Sequence, residues 1–280
     1  MKYSVLMSLY KKENPEWFCM AVESMMNQTV IPDEIVIVED GQLPDKLEEK
    51  VKFYENNYSK IFKIIRNPVN QGLGIALNCG LKICKNELVA RMDTDDISVN
   101  NRCEIELRYL EQHPETVLVG SNVYEFSNNI DNIIDKRIVP SSFESIYKFA
   151  KRRNPFNHPT VMFRKSKVLE VGGYSKLRYG QDYELFGRML IYGYRLENIN
   201  KCLLYFRRDE QTLKKRKNKE SIRCYVQTVR EFKKQKYSTN IDVLFVLFSQ
   251  KILYIMPDRI VNELYKIIRK KEEYPRRKHG

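Results

Sequence analysis

Short apolar runs and helical patterns alternate along the first hundred residues of the chain. Each run holds about five or six largely apolar residues, as a buried strand does, and the segments between them place apolar residues three or four positions apart. Strands are predicted at Tyr3–Ser8, Glu34–Val38, Ile61–Ile65 and Leu88–Met92, and helices at Trp17–Gln28, Pro44–Tyr58 and Gly72–Cys84. This alternation predicts an α/β fold in which a mostly parallel sheet carries helices on both faces.

The pattern changes after residue 100, where strands and helices no longer alternate regularly. Helices are predicted at Asn101–Gln112, Phe143–Arg153 and Tyr183–Tyr192, and strands at Val117–Phe126, Ile133–Val139, Thr160–Phe163 and Cys202–Phe206. No internal repeat and no low-complexity linker separates the two parts. We therefore interpret residues 1–210 as one domain.

The remaining residues, 211–280, are predicted to form a basic, helical C-terminal extension. The formal net charge of the chain is +13, and 21 Lys and Arg but only 9 Asp and Glu follow residue 206. Helices are predicted at Glu220–Gln235, Ile241–Met256 and Arg259–Lys271. Ile241–Met256 is strongly apolar but shorter than the roughly 18 to 20 residues that cross a bilayer. We expect it to lie in an interface or to pack on the domain.

The cysteine and histidine contents narrow the class of protein. Six cysteines are scattered without a C-x-x-C pair, and the chain has only three histidines, which argues against a disulfide framework or a zinc site. The first apolar run is too short for a secretory signal. These features predict a cytoplasmic protein with reduced thiols.

Three carboxylates follow the strand predicted at Leu88–Met92. Because ligands of open α/β sheets lie beyond the carboxyl ends of the strands, Asp93, Asp95 and Asp96 are expected to face a ligand. Asp93 and Asp95 are two positions apart on an extended segment and point to the same side, which suits Mg²⁺ or Mn²⁺ carrying a diphosphate. The alternative is that Asp95 or Asp96 caps the helix that begins near Asn101.

Four segments, taken in order, resemble the signature of glycosyltransferase family 2: Ser4–Tyr10, Glu34–Gly41, Met92–Asp96 and Gly180–Leu185. The resemblance spans about residues 3–210 and is greatest to short enzymes that build bacterial capsule, O-antigen and other surface polysaccharides. It implies a GT-A fold with a Rossmann-like sheet, an inverting reaction, and Mn²⁺ or Mg²⁺ as the cofactor. The expected donor is a nucleotide-diphosphate sugar, UDP-hexose or UDP-N-acetylhexosamine. Residues 1–100 would bind the nucleotide and residues 101–210 the acceptor.

The resemblance also implies roles for the acids at the strand ends. Asp40 would bind the uracil or ribose of the donor, and Glu39, its neighbour on the opposite side of the strand, would also belong to the donor site. An ordinary turn acid at the strand end is the alternative. Asp95 would bind the metal, while Asp93 would contact the ribose or a metal-bound water. Asp96 would orient the donor sugar or cap the next helix, and we favour the cap.

Asp182 matches the catalytic aspartate of the family. An inverting transfer needs one base that takes the proton of the acceptor hydroxyl, and Asp182 is predicted to be that base. Gln181 stands where the commoner pair has Glu, so one negative charge fewer lies beside the base. A helix N-cap is the alternative role for Asp182, and the two roles are compatible.

His158, Arg207 and Arg208 are further candidates for the donor or acceptor site. His158 precedes a proline, as in a segment of this subgroup, and would approach the diphosphate or the acceptor; a structural histidine is the alternative. Arg207 and Arg208 would clamp the donor phosphates, with a solvated basic loop as the equal alternative. Gly72 and Gly74 fit no phosphate-loop pattern, and we expect them to permit tight packing of the helix on the sheet, with donor contact as the alternative.

The predicted function is transfer of a sugar to a hydroxyl of a lipid-linked glycan, by a protein peripheral to the inner face of the plasma membrane. Basic residues beside Ile241–Met256 would bind anionic lipid. Packing of this segment on the catalytic domain and pairing of two copies into a homodimer are the alternatives. A scaffold that keeps the fold but lacks catalytic activity is another alternative, and its only support is Gln181 in place of the commoner Glu. A nucleic-acid-binding protein is disfavoured, because residues 1–206 are almost neutral and carry no recognition motif.

Overall fold

The computed structural model describes residues 1–127, 129–208, 217–257 and 260. The strands are β1 Tyr3–Leu9, β2 Glu34–Asp40, β3 Phe62–Asn67, β4 Leu88–Met92, β5 Ile97–Ser98, β6 Thr116–Phe126, β7 Ile133–Arg137, β8 Met162–Arg164 and β9 Arg195–Arg207. The helices are α1 Pro15–Met26, α2 Asp45–Asn57, α3 Leu73–Ile83, α4 Arg102–Gln112, α5 Phe143–Phe149, α6 Lys165–Glu170, α7 Gln181–Ile191, α8 Lys219–Lys234 and α9 Asn240–Ile255, and a 3₁₀ turn covers His158–Thr160. The helix predicted at Arg259–Lys271 lies outside the described residues except for Ile260.

The described strands form one mixed sheet in the order β3-β2-β1-β4-β8-β6-β9-β5, with β7 paired to β6. The first four strands in this order are parallel, as the β-α alternation predicts. β8 runs antiparallel to both β4 and β6, whereas β9 is parallel to β6. The parallel half brings the carboxyl ends of β1, β2 and β4 to one edge, and the acids at those ends therefore lie on the same side of the molecule.

β9 is longer than the sequence predicts. The predicted strand Cys202–Phe206 is only the last part of Arg195–Arg207, which pairs with β6 from Thr116 to Phe126. The first part was not predicted because buried polar residues such as Glu197 interrupt the apolar pattern of a strand. The carboxylate of Glu197 accepts a hydrogen bond of 2.6 Å from Thr116. One consequence is that Arg207 lies within the sheet rather than in a loop after it.

Local sequence explains where helices begin. Asn14 caps α1, because its side chain accepts hydrogen bonds from the backbone N–H groups of Glu16 at 2.8 Å and Trp17 at 3.2 Å, and Pro15 supplies the first residue of the helix. Thr239 and Asp242 form a reciprocal capping box at the start of α9. These caps determine the residues at which α1 and α9 begin.

The core consists of two apolar clusters, one on each face of the sheet. The first joins the sheet to α1, α2 and α4 through residues such as Phe18, Leu47 and Leu107. The second joins it to α3, α5, α7, α8 and α9 through residues such as Leu77, Ile146, Phe186, Phe232 and Val246. Helices therefore flank both faces of the sheet, which confirms the predicted fold class.

The C-terminal extension packs into the second cluster through α8. Val229 and Phe232 are almost fully buried, and the ring of Phe232 lies so close to α7 that a Cβ on Gly187 would be 1.9 Å from its Cζ atom. α9 buries Val246 but exposes apolar side chains on its other side. In the described ranges, no helix has both the length and the apolar character that crossing a membrane would require.

Candidate active site

Asp93, Asp95 and Asp96 form a compact carboxylate cluster after β4. One ligand atom from each of the three side chains lies within 4.8 Å of the others. Asp96 is buried, and its Oδ2 atom has no hydrogen-bond partner. Burial and the negative charges of Asp95 and Asp93 raise the pKa of Asp96 well above its ordinary value. A divalent cation would remove this unfavourable charge, so the cluster fits a hard metal ion that prefers oxygen ligands.

Arg207 holds the acidic loop from the end of β9. Its backbone N–H donates a hydrogen bond of 2.8 Å to Asp96 Oδ1, and its Nε donates one of 2.8 Å to the backbone carbonyl of Asp95. The guanidinium lies 4.5 Å from the ring centres of both Trp17 and Phe126. The solvated-loop alternative for Arg207 is therefore wrong, because the residue is 5% exposed. Contact with the donor phosphates remains a prediction.

The predicted capping role of Asp96 is also wrong. Asn101 occupies the N-cap position of α4, and β5 separates it from the acidic loop. The short strand pairs with β9, which turns the Asp96 carboxylate toward the backbone of Arg207 instead of toward the helix.

Arg91 is a component of the site that sequence reasoning missed. It lies in β4, is 1% exposed, and forms an ion pair with Asp93 through Nη2. Its Nε and Nη1 atoms are buried without a hydrogen-bond partner. The acidic cluster is therefore in contact, through Asp93, with a buried positive charge. Its position in the sequence could have indicated this role, because an arginine in the middle of an apolar run that predicts a buried strand needs a charged partner.

Asp182 is the second residue of α7, after the left-handed Gly180 at the N-cap position. Asn154 Nδ2 donates a hydrogen bond of 2.7 Å to Asp182 Oδ2. Burial raises the pKa of Asp182, while the backbone N–H of Tyr183, the charge of Arg91 and the Asn154 amide act in the opposite direction. Since Gly180 occupies the cap, the N-cap alternative for Asp182 is not observed.

Tyr174 connects Asp182 electrostatically to the acidic cluster. The charges of Asp182 and Asp93 both raise the pKa of the Tyr174 hydroxyl, after burial as the largest cause. His158 is buried, and its Nε2 atom lies 3.0 Å from that hydroxyl. Burial and the charge of Arg91 hold the pKa of His158 well below its ordinary value. The buried group of Arg91, Tyr174 and His158 thus lies within electrostatic reach of both Asp93 and Asp182.

Asp40 orders the loop that precedes α3. Its carboxylate accepts hydrogen bonds from the backbone N–H groups of Gln71 at 2.9 Å and Gly72 at 2.8 Å. Glu39 points to the opposite side, where Oε1 lies 3.4 Å from Nε of Arg66, and burial raises the pKa of Glu39 to about 7. A donor contact through the remaining lone pairs of Asp40 stays a prediction, as does any donor role for Glu39.

Gly74 permits close packing, but against the loop at Ser175 and the start of α7 and not against the sheet as predicted. A Cβ at this position would lie 2.4 Å from the carbonyl oxygen of Ser175 and 3.3 Å from Cγ of Gln181. Gly72 serves a different purpose, because its φ of +95° lies in the region that favours glycine.

Arg208 belongs to a neighbouring ion-pair group rather than to the acidic cluster. Its Nη1 atom lies 3.6 Å from Glu125 Oε2, and Glu125 Oε1 lies 2.6 Å from Nη2 of Arg137. We therefore expect Arg208 to contribute less to donor binding than Arg207 does.

Comparison with known proteins agrees with this geometry. Residues 4–173 match the sequence profile described as glycosyl transferase family 2. The chain is 36% identical to the amylovoran biosynthesis glycosyltransferase AmsE of Erwinia amylovora, covering 96% of this chain and 99% of that protein. It is 33% identical to UDP-Gal:alpha-D-GlcNAc-diphosphoundecaprenol beta-1,3-galactosyltransferase of Escherichia coli, covering 95% of both chains.

Solved structures show the same fold at lower sequence identity. The mannosyltransferase PcManGT of Pyrobaculum calidifontis, solved with GDP-Man and Mn²⁺, matches with a TM-score of 0.63 at 15% identity, covering 91% of this chain and 70% of that one. S. aureus TarS 1-349 with UDP-GlcNAc matches with a TM-score of 0.59 at 19% identity, covering 91% of this chain and 79% of that one. Fold and site together define a GT-A glycosyltransferase that uses a nucleotide sugar. The chain belongs to glycosyl transferase family 2.

Proposed function

We propose that the protein is an inverting, metal-dependent glycosyltransferase that moves a hexosyl or N-acetylhexosaminyl group from a UDP-sugar to a hydroxyl of a lipid-linked glycan. The observation that carries this proposal is the carboxylate cluster of Asp93, Asp95 and Asp96, whose ligand atoms lie within 4.8 Å of one another. Asp182, whose carboxylate Asn154 holds through a hydrogen bond of 2.7 Å, would supply the second function, that of the base. A transferase needs these two functions side by side, one at the leaving group and one at the attacking hydroxyl.

Asp95 and Asp93 are the residues that would hold Mn²⁺ or Mg²⁺. Such an ion would supply positive charge for the leaving diphosphate. Arg207 supports this function by fixing the backbone of Asp95 and the carboxylate of Asp96, so the loop is preorganised before the donor binds. Asp40 would receive the uracil or ribose of the nucleoside.

Asp182 would accept the proton of the acceptor hydroxyl as that oxygen attacks the anomeric carbon. Burial raises the pKa of Asp182 above that of an exposed aspartate, and a carboxylate with a higher pKa is a stronger base for the proton of the hydroxyl. The amide of Asn154 orients the carboxylate. A single base that acts from the face opposite the leaving diphosphate gives inversion at the anomeric carbon.

The proposed acceptor is a sugar attached through a diphosphate to a lipid. The name of the E. coli relative specifies GlcNAc-diphosphoundecaprenol as its acceptor, and that relative is similar to this chain over 95% of the length of each. An acceptor of this kind lies at a membrane surface, which agrees with the exposed apolar side of α9. We therefore propose that the protein attaches peripherally to the inner face of the plasma membrane.

A panel assay tests the proposed reaction. UDP-galactose, UDP-glucose and UDP-N-acetylglucosamine are each incubated with the full chain, Mn²⁺ and a synthetic GlcNAc-diphospholipid, and the anomeric configuration of the product is read by NMR. The expected result is one β-linked product from an α-linked donor, lost with EDTA and restored by Mn²⁺. Binding of UDP-sugars without turnover of any donor would favour the scaffold alternative, and an α-linked product would contradict the assignment of a single base.

A further inference from the structure

A cavity of about 370 Å³ lies outside the acidic cluster, between the loop that precedes α3, the loop at residues 175–178, and α8. It is therefore formed jointly by the catalytic domain and the C-terminal extension. Neither the metal-binding role of the acids nor the base role of Asp182 uses this cavity.

The side chains that line the cavity carry an excess of positive charge. Lys176, Arg178 and Arg223 contribute three cations, and Glu220 contributes one anion. None of these three cations forms an ion pair with an acid of the described residues. The hydroxyl of Ser175, which also lines the cavity, is buried without a hydrogen-bond partner. Such a combination suits a ligand with several anionic oxygens.

The cavity lies between the start of α7 and the loop held by Asp40. Gly74, in its wall, packs against Gln181, the residue next to Asp182. On the donor side, its lining residues Gln71 and Gly72 donate their backbone N–H groups to Asp40. A ligand in the cavity would therefore approach the base from the acceptor side, while the donor diphosphate belongs with the acidic cluster.

An exposed apolar surface begins next to the same cavity. Lys219, which precedes the lining residue Glu220 in α8, has its Nζ atom 6.0 Å from the ring centre of Tyr254 in α9. α9 exposes Phe248 and Ile255, each 68% accessible, on its outer side. Anionic and apolar parts of one molecule would thus find adjacent surfaces for binding.

We propose that this cavity binds the diphosphate of the lipid-linked acceptor, with Lys176, Arg178 and Arg223 as its ligands and the lipid chain running toward α9. The inference rests on the proposed function, in that it names the subsite for the acceptor of that reaction. The extension is then part of the acceptor site, and it holds the glycan so that its hydroxyl faces Asp182.

Calorimetric titration with farnesyl diphosphate tests this assignment independently of turnover. The full chain is first saturated with UDP and Mn²⁺, so that the probe cannot enter the donor site. We expect Lys176→Gln and Arg223→Gln each to weaken probe binding about tenfold, the loss expected when one charge-assisted hydrogen bond is removed. Glu220→Gln should strengthen binding, because it removes the one anion. Arg230→Gln, an exposed charge further along α8 and outside the cavity, is the matched control and should bind as the wild type does.

Two further measurements decide between the possible outcomes. Farnesol should not bind measurably, since it lacks the diphosphate, and UDP affinity should be unchanged in every cavity variant. Wild-type affinity for the probe in Lys176→Gln and Arg223→Gln would overturn the inference, as would binding of the probe only when UDP is left out. Failure of UDP to bind the wild type with Mn²⁺ would instead contradict the proposed function.

Discussion

Asn154 donates a hydrogen bond of 2.7 Å from Nδ2 to Oδ2 of Asp182, the proposed base. The two residues are far apart in sequence, since Asn154 precedes the 3₁₀ turn and Asp182 lies in α7. Asn154 is a positioning residue: its amide opposes the effect of burial on the pKa of Asp182 and fixes the orientation of the carboxylate.

Replacing Asn154 by Ala should shift the pH dependence of transfer. Without the amide, the pKa of Asp182 rises further above its ordinary value. The base is active only when deprotonated, so transfer is lost as the pH falls through this pKa, and the loss should occur at a higher pH in the variant. The acid limb of the kcat/KM profile measures the shift. Asn57→Ala, at an exposed amide in α2, is the control. An equal loss of rate at every pH would contradict the pKa role.

Replacing Arg207 by Gln should weaken metal-dependent donor binding. The variant loses the Nε contact to the Asp95 carbonyl and the packing on Trp17, so the acidic loop is no longer preorganised. We expect UDP affinity in the presence of Mn²⁺ to fall about tenfold or more, in line with the net value of a buried charged hydrogen bond. Arg208→Gln is the matched comparison and should lose less. Equal effects from the two variants would show that general positive charge, and not the loop contact, supports donor binding.

Replacing Phe232 by Ala should destabilise the whole fold, although the residue lies in the C-terminal extension. Its ring is 1% exposed and packs against Gly187 of α7. Burial of this kind predicts a loss of about 3–5 kcal/mol in the free energy of unfolding. Phe248→Ala, at a position that is 68% exposed, should change stability by less than about 0.5 kcal/mol. Urea unfolding measures both, and similar values for the two variants would contradict the packing of α8.

Making the outer side of α9 polar should reduce attachment to anionic vesicles. Leu244, Phe248 and Ile255 are exposed and fall on one side of the helix. The triple change to Ser should abolish cosedimentation with phosphatidylglycerol vesicles while UDP binding is retained. Phe53→Ser, at an exposed Phe in α2, is the control. If the triple variant still sediments with vesicles, the membrane role of α9 is contradicted; a fall in oligomer size instead would support pairing of two copies.

Much of the fold can be predicted from the spacing of hydrophobic residues alone. The four parallel strands β1 to β4 and their helices were predictable because apolar runs and helical spacing are regular there. The first half of β9 was not predicted because it buries Glu197 and Asn198, and both side chains form hydrogen bonds with residues distant in sequence. The spacing of hydrophobic residues along the sequence cannot reveal such partners, since only the folded chain brings them together.

The acids of the site were easier to predict than the groups that support them. Asp93, Asp95 and Asp182 occur in recognisable motifs at strand and helix ends. Arg91 and Tyr174 carry no such motif, and their importance arises from burial between elements that are distant in sequence. The same limitation explains the wrong cap at Asp96, because the strand pairing that directs its carboxylate to Arg207 spans more than a hundred residues.

The central claim is that the acidic cluster binds the donor and Asp182 activates the acceptor, and paired substitutions separate the two functions. UDP-sugar binding in Mn²⁺ and the rate of transfer are measured for Asp95→Asn and Asp182→Asn. We predict that Asp95→Asn loses metal-dependent donor binding, while Asp182→Asn binds the donor normally and transfers about 10²–10⁴-fold more slowly, the usual contribution of a general base. Transfer by Asp182→Asn at the wild-type rate would contradict the account.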